Sequence, residues 1–327
     1  MRISFGAKTD IGQQRQHNED NFLIDRKLRL FVTCDGMGGH AGGHVASALA
    51  VNLVRDELSN HFSDAIQGYD QGDESVTAGV LLNAIETSVQ RTCFSIYERG
   101  QTVPAERGMG TTLSLVLLCG SRAFIGHVGD SRVYLIRGGN IYQLTEDHSL
   151  LNELIKAGQP PDPETMDSRI KNAVTRAVGV HPSVDVDTLD MAVLPGDRFL
   201  LCSDGLHRYG DPQTWLNKVM TADNEENAAQ ALIDYANEQG GADNITAALV
   251  RVKEVPDGNA EATQLKLDTF RSLVLFRYLS YHELLKVLNL THERLVKKGE
   301  YIFKEGDLEN CTYVILKGRI QIRKANV

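Results

Sequence analysis

The sequence predicts an α+β fold built on antiparallel sheet, and three observations carry that prediction. Short strand-like runs follow one another closely between 111 and 144, with turn signals at Cys119-Gly120-Ser121 and Arg137-Gly138-Gly139-Asn140; such spacing favours antiparallel pairing. Two longer stretches carry apolar residues three and four apart, the period of a helix face. Several apolar runs end on an aspartate beside glycine, and strand ends are where scaffolds tend to carry function.

Taken in order, residues 1–34 read as strands with a polar crossing that contains Thr9-Asp10-Ile11-Gly12-Gln13-Gln14-Arg15-Gln16-His17-Asn18-Glu19-Asp20. Residues 43–62 form a helix with Val51, Val54, Leu58 and Phe62 on one face, and 64–75, rich in Asp, Gly and Gln, read as a loop. A second helix places Leu82, Ile85, Val89, Cys93 and Ile96 on its core face. After the strands of 111–144 comes a helix at 148–158. Gln159-Pro160-Pro161-Asp162-Pro163 then opens a polar excursion to about residue 172, of the kind that often serves as a functional flap. Helices follow near 213–221 and 225–239, then a last strand at 245–253. Glu254-Val255-Pro256-Asp257-Gly258-Asn259 marks a boundary. Beyond it, 264–290 is helical, with Leu273, Phe276, Leu279, Leu284 and Leu288 as core, and short strand-like runs surround Gly299, Gly306 and Gly318.

The organising stretch is Leu30-Phe31-Val32-Thr33-Cys34-Asp35-Gly36-Met37-Gly38-Gly39-His40. A buried strand ends on an acid, and glycines let the backbone turn and approach a ligand closely. The form recurs at Gly129-Asp130-Ser131-Arg132 and Ser203-Asp204-Gly205, and Asp243 precedes another strand-like run. Four carboxylates brought together would repel one another and take up protons unless a cation sat among them. With no Cys or His cluster at ligand spacing, an oxygen-only set favours Mg²⁺, Mn²⁺ or Ca²⁺ over Zn²⁺.

The 327 residues suffice for a large domain plus a small one. Apolar content of 42% with 24% charged residues is that of an ordinary soluble globular protein. A formal charge of −9 argues against nucleic acid as partner. The five cysteines form no CxxC pair and read as small buried hydrophobes in a reducing compartment. The N-terminus is no signal peptide and no run is long enough to span a bilayer, so the reading is cytoplasmic, with no membrane partner.

With these residues in hand, positions 1–254 resemble the bacterial type 2C metal-dependent serine/threonine protein phosphatases. The ordered set is Arg15…Asn18-Glu19-Asp20, Asp35-Gly36-Met37-Gly38-Gly39-His40, Gly110-Thr111-Thr112, Gly129-Asp130-Ser131-Arg132, Ser203-Asp204-Gly205 and Asp243-Asn244. Each piece is weak alone; their order and spacing together are specific. The resemblance implies two antiparallel sheets packed face to face with helices outside, and hydrolysis of phosphoserine and phosphothreonine in proteins phosphorylated by a serine/threonine kinase. It implies two Mg²⁺ or Mn²⁺ ions: Asp35 bridges them, Asp204 and Asp243 complete the first site, and the Gly36 carbonyl belongs to the second. Asp130 with Asp204 matches the pair that holds a third ion in bacterial members. Asp20 is a further candidate ligand, directly or through water. A water between two cations loses a proton readily and attacks phosphorus in line with the leaving oxygen. Arg15 would fork onto the phosphate, and His40 is a candidate general acid.

Residues 255–327 are expected to be a linker, a helix and part of a β-roll, because the run from Leu295 to Asp307 and that from Tyr313 to Ile320 resemble the first half of a cyclic-nucleotide-binding domain. No Glu–Arg phosphate cassette follows, so cyclic nucleotide is not expected to bind this truncated form. Two other readings stay open: a phosphatase-like binding module without catalysis, and a metal-dependent hydrolase of small phosphate esters.

Overall fold

The structure is a computed structural model that describes residues 1–38, 42–159, 173–256, 260–308 and 310–324. It divides into two units, Met1–Gly258 and Asn259–Val327. His40 and all of the polar excursion at 159–172 except Gln159 lie outside the described residues.

The first unit is built on two antiparallel sheets. One runs in the order β1 (Arg2–Asp10), β11 (Ile245–Glu254), β10 (Arg198–Cys202), β7 (Arg132–Arg137), β8 (Asn140–Gln143). The other runs β2 (Asp20–Asp25), β3 (Leu30–Met37), β5 (Leu113–Cys119), β6 (Arg122–Val128), β9 (Asp187–Ala192), and β4 (Gly110–Thr111) pairs with the end of β3. Every pairing among these strands is antiparallel.

Strand alternation sorts β3 between two apolar layers. Leu30, Val32 and Cys34 face a core shared with α1 (Gly42–His61) and α3 (Ala78–Thr102). Phe31 points the other way and meets Phe5 of β1 with ring centroids 5.8 Å apart. The outer face of the first sheet is covered by α6 (Gln213–Thr221) and α7 (Glu225–Glu238), around the fully buried Trp215. The α+β fold of two antiparallel sheets flanked by helices is thus the fold the sequence predicts. The helix stripe also holds: Val54, Leu58, Ile85, Val89, Cys93 and Ile96 are fully buried.

Two local expectations differ. Residues 64–75, read as a loop, begin with the helix α2 (Ser63–Asp70), because Ile66 docks into the apolar core and anchors a helix too short to stand alone. β9 was not foreseen: its polar residues hide the alternation of Leu189 and Met191, both buried. The other short helices are α4 (Leu150–Lys156) and α5 (Asp204–His207).

In the second unit the single expected helix is two, α8 (Ala260–Ser272) and α9 (Tyr281–Asn289). Ser280 explains the restart: its hydroxyl accepts from the Glu283 N–H while the Glu283 carboxylate accepts from the Ser280 N–H, a reciprocal cap. Leu267, Phe270, Leu284 and Leu285 are buried there; of the five expected core residues, only Leu284 is. The expected partial β-roll is corrected. Among the described residues of 290–324 there is no strand, and Leu295, Leu308 and Ile322 are 91%, 101% and 86% exposed. Among the described residues these runs pair with no neighbouring strand, and apolar residues alone do not make one.

Among the described residues, no helix is long and apolar enough to cross a membrane.

Candidate active site

The two sheets bring the strand ends that carry the candidate carboxylates into one electrostatic neighbourhood. Asp20 opens β2 and Asp35 lies near the end of β3, and the two are direct cross-strand partners. Asp204 follows β10 as the first residue of α5, and Asp243 precedes β11. Asp130 sits in the turn between β6 and β7. All five sequence-predicted aspartates therefore belong to one electrostatic cluster: burial first, then Asp20, Asp204, Asp130 and Asp243, push the Asp35 carboxyl well above its usual range.

The backbone at Asp35 is fixed. Its N–H donates to the Thr112 hydroxyl at 2.9 Å. Its carbonyl accepts from the Thr112 N–H at 2.9 Å and from the Thr111 hydroxyl at 2.9 Å. Thr112 shares a 2.7 Å hydrogen bond with Ser131, which follows Asp130. Gly36 is required by close approach. A Cβ there would lie 2.1 Å from the Gly43 carbonyl oxygen and 2.7 Å from that of Glu19.

Asp20 is buried. Its Oδ2 accepts from Ser203 at 2.6 Å and from Thr246 at 2.7 Å, so one carboxylate ties β2 to β11 and to the residue after β10. Its Oδ1 is buried with no hydrogen-bond partner. Burial raises the Asp20 carboxyl to about 7, the two hydroxyls oppose the rise, and Asp204 adds to it. Asp130 is likewise pushed up to about 7, by burial and then by Asp204 and Asp147.

Two arginines answer this negative charge. Arg15 donates to Asp243 Oδ2 at 2.7 Å, and its side chain is 51% exposed. Arg208 donates to Asp204 Oδ2 at 2.6 Å and stands 3.4 Å from Asp243 Oδ2. Asp204 is raised by burial; Arg208 opposes and Asp243 reinforces that rise.

Several contributors lie outside the predicted catalytic and metal-ligand set. Asn244 donates to the carbonyls of Ile11 and His17, both at 3.0 Å, and accepts from the Glu19 N–H at 2.8 Å. It thereby staples the polar crossing that carries Arg15 onto the start of β11. The Asp130 turn is clamped through its backbone. His148 Nδ1 accepts from the Gly129 N–H at 3.1 Å, and His207 Nε2 donates to the Asp130 carbonyl at 2.9 Å. His127 donates from Nε2 to the Glu146 carbonyl at 3.0 Å. Burial lowers His127 to about 4 and His207 to about 3, so both are neutral at physiological pH. Asn244 carried a sequence signal as the neighbour of Asp243; the histidine contacts span 19 or more residues, so their partners are invisible to local pattern.

The donor set fits a hard divalent cation. It is all oxygen, its acids raise one another's proton affinity, and Asp20 Oδ1 is a buried acceptor awaiting a partner. Among the described residues no three Asp, Glu, His or Cys side chains converge on one point.

Comparison with known proteins agrees with this geometry. A family model of protein phosphatase 2C matches residues 11–251. The serine/threonine phosphatase stp of Listeria monocytogenes is 36% identical over 251 residues, which are 74% of this chain and 93% of that relative. The solved serine/threonine phosphatase Stp1 from Staphylococcus aureus superposes with a TM-score of 0.66 at 30% identity, over 78% of this chain and 96% of that one. The catalytic domain of the serine/threonine protein phosphatase PstP, solved in complex with two manganese ions, superposes with a TM-score of 0.63 at 32% identity, over 77% of this chain and 99% of that one. The chain belongs to the protein phosphatase 2C family, the metal-dependent serine/threonine protein phosphatases.

Proposed function

We propose that residues 1–254 remove phosphate from phosphoserine and phosphothreonine side chains of proteins phosphorylated by a serine/threonine kinase in the cytoplasm. The observation that carries this reading is the gathering of Asp20, Asp35, Asp130, Asp204 and Asp243 around one strand edge with an arginine at its rim. Asp35, Asp204 and Asp243 would hold the first of two Mg²⁺ or Mn²⁺ ions. Asp35 and the Gly36 carbonyl would hold the second, with Asp20 engaged directly or through water. Such ions supply the charge that makes water a nucleophile at neutral pH.

The chain's own residues do the rest. Arg15 leaves Asp243 for the incoming phosphate, where its planar fork matches two phosphate oxygens. Thr111 and Thr112 fix the Asp35 backbone at the strand end from which its carboxylate would hold a cation. His40 is the candidate acid that returns a proton to the leaving hydroxyl.

A competition assay tests the substrate class. A phosphothreonine peptide should suppress hydrolysis of a small aryl phosphate at concentrations well below those at which the aryl phosphate suppresses peptide hydrolysis. Equal or reversed potency would favour a small-ester hydrolase.

A further inference from the structure

Asp204 heads α5 and Asp243 precedes β11, so their separation depends on how the segment after α5 meets the turn before β11. That turn is permissive: Gly240 and Gly241 both take positive φ, at 121° and 49°. One side of it is held by the polar crossing that carries Arg15, where the Gln13 N–H donates to the Gly241 carbonyl at 2.7 Å. The other side is held by Tyr209, which follows α5 after Arg208. Its hydroxyl accepts from the Ala242 N–H at 2.7 Å, one residue before Asp243.

Tyr209 is itself fixed. Its ring packs, partly buried, against the apolar core around Trp215. Its carbonyl accepts from the Tyr235 hydroxyl of α7 at 3.1 Å. A tyrosine side chain has only two torsions, so a seated ring delivers its hydroxyl to one place. Arg208 also spans the two aspartates, but through their carboxylates, the atoms that an ion would engage. The Tyr209 hydroxyl ends on backbone, so an ion among the aspartates competes with neither partner of that hydrogen bond. Segments that carry ligands hold an ion best when supporting hydrogen bonds lock them beforehand.

We propose that Tyr209 is a positioning residue of this phosphatase: its hydroxyl holds the turn that carries Asp243 against the helix that carries Asp204, and so keeps both carboxylates placed for one divalent ion. The inference rests on the reading of Asp204 and Asp243 as ligands of the first ion.

The test is Mn²⁺ affinity of the full chain by calorimetric titration. Tyr209→Phe removes the hydroxyl and keeps the ring; it should weaken Mn²⁺ binding about three- to ten-fold, the scale on which one hydrogen bond acts. Tyr235→Phe deletes the neighbouring hydroxyl but leaves the Ala242 contact in place, and should stay within about two-fold of wild type. Both variants should unfold in chelator at urea concentrations close to that of wild type, so a loss confined to Tyr209→Phe reports placement of the ligands and not folding. Unchanged affinity in Tyr209→Phe, or equal weakening in Tyr235→Phe, would overturn the proposal. Failure of the wild type to bind Mn²⁺ would instead overturn the ligand reading beneath it.

Discussion

Asp20 and Asp35 stand directly opposite each other on β2 and β3, two acids in one cross-strand pair. Like charges in that position destabilise a sheet. Here the Asp20 carboxyl is also buried, so it is raised to about 7, chiefly by that burial, with Asp204 adding to it.

The sign of the consequence follows from linkage. Between the ordinary carboxylate range and about 7, folded Asp20 keeps a proton that the unfolded chain has released, so this group stabilises the fold below that window and its contribution is lost as pH rises through it. Asp20→Asn removes the ionisable group. In chelator at pH 8 the variant should be more stable than wild type by on the order of 2 kcal/mol, the scale of burying an unpaired charge after relaxation. The gain should vanish toward pH 4. Urea unfolding at the two pH values checks this; equal stability at pH 8 would remove Asp20 from the strained cluster.

Asp204 is held by burial and by Arg208 within reach of Asp243. Asp204→Asn should weaken Mn²⁺ binding at least about ten-fold, since a carboxylate ligand becomes a neutral amide. Calorimetric titration reads this directly, and unchanged affinity would exclude Asp204 from the ligand set.

Arg15 sits at the rim, half-exposed, with Asp243 as its partner. Arg15→Ala should raise the KM for a phosphothreonine peptide about ten-fold or more while kcat changes less. Arg15→Lys should not restore it, because an ammonium cannot reproduce the fork. An unchanged KM would refute the phosphate contact.

Gly205 lies against the strand that follows Asp243: a Cβ there would fall 1.9 Å from the Asn244 carbonyl oxygen. Gly205→Ala must push α5 away from β11, carrying Asp204 with it. The expected cost is about 3 kcal/mol or more, in the range of severe overpacking. Thermal unfolding without metal measures it; a native midpoint would show that α5 can shift freely.

These sites differ in how far sequence could reveal them. Asp35, Asp130 and Asp204 were legible because each follows an apolar run and neighbours a glycine, a local signature of a strand end near a ligand. Which partner Arg15 takes was not legible: Glu19 and Asp20 lie near it in the chain, yet Asp243 is its partner. Arg208 was silent for the same reason, as its role exists only once α5 and the Asp243 turn meet. The helix at Ser63–Asp70 was hidden by polar composition, because one buried residue, Ile66, decides it. The reverse error arose beyond residue 290, where apolar alternation suggested strands that find no partner among the described residues.

The central claim is metal-dependent hydrolysis at the Asp35 strand end. Its most direct measurement is phosphate release from a phosphothreonine peptide with Mn²⁺, with Mg²⁺ and with excess chelator. Release with either metal, stopped by chelator and abolished in Asp35→Ala, is the predicted result. Release that persists in chelator, or in Asp35→Ala, would contradict it.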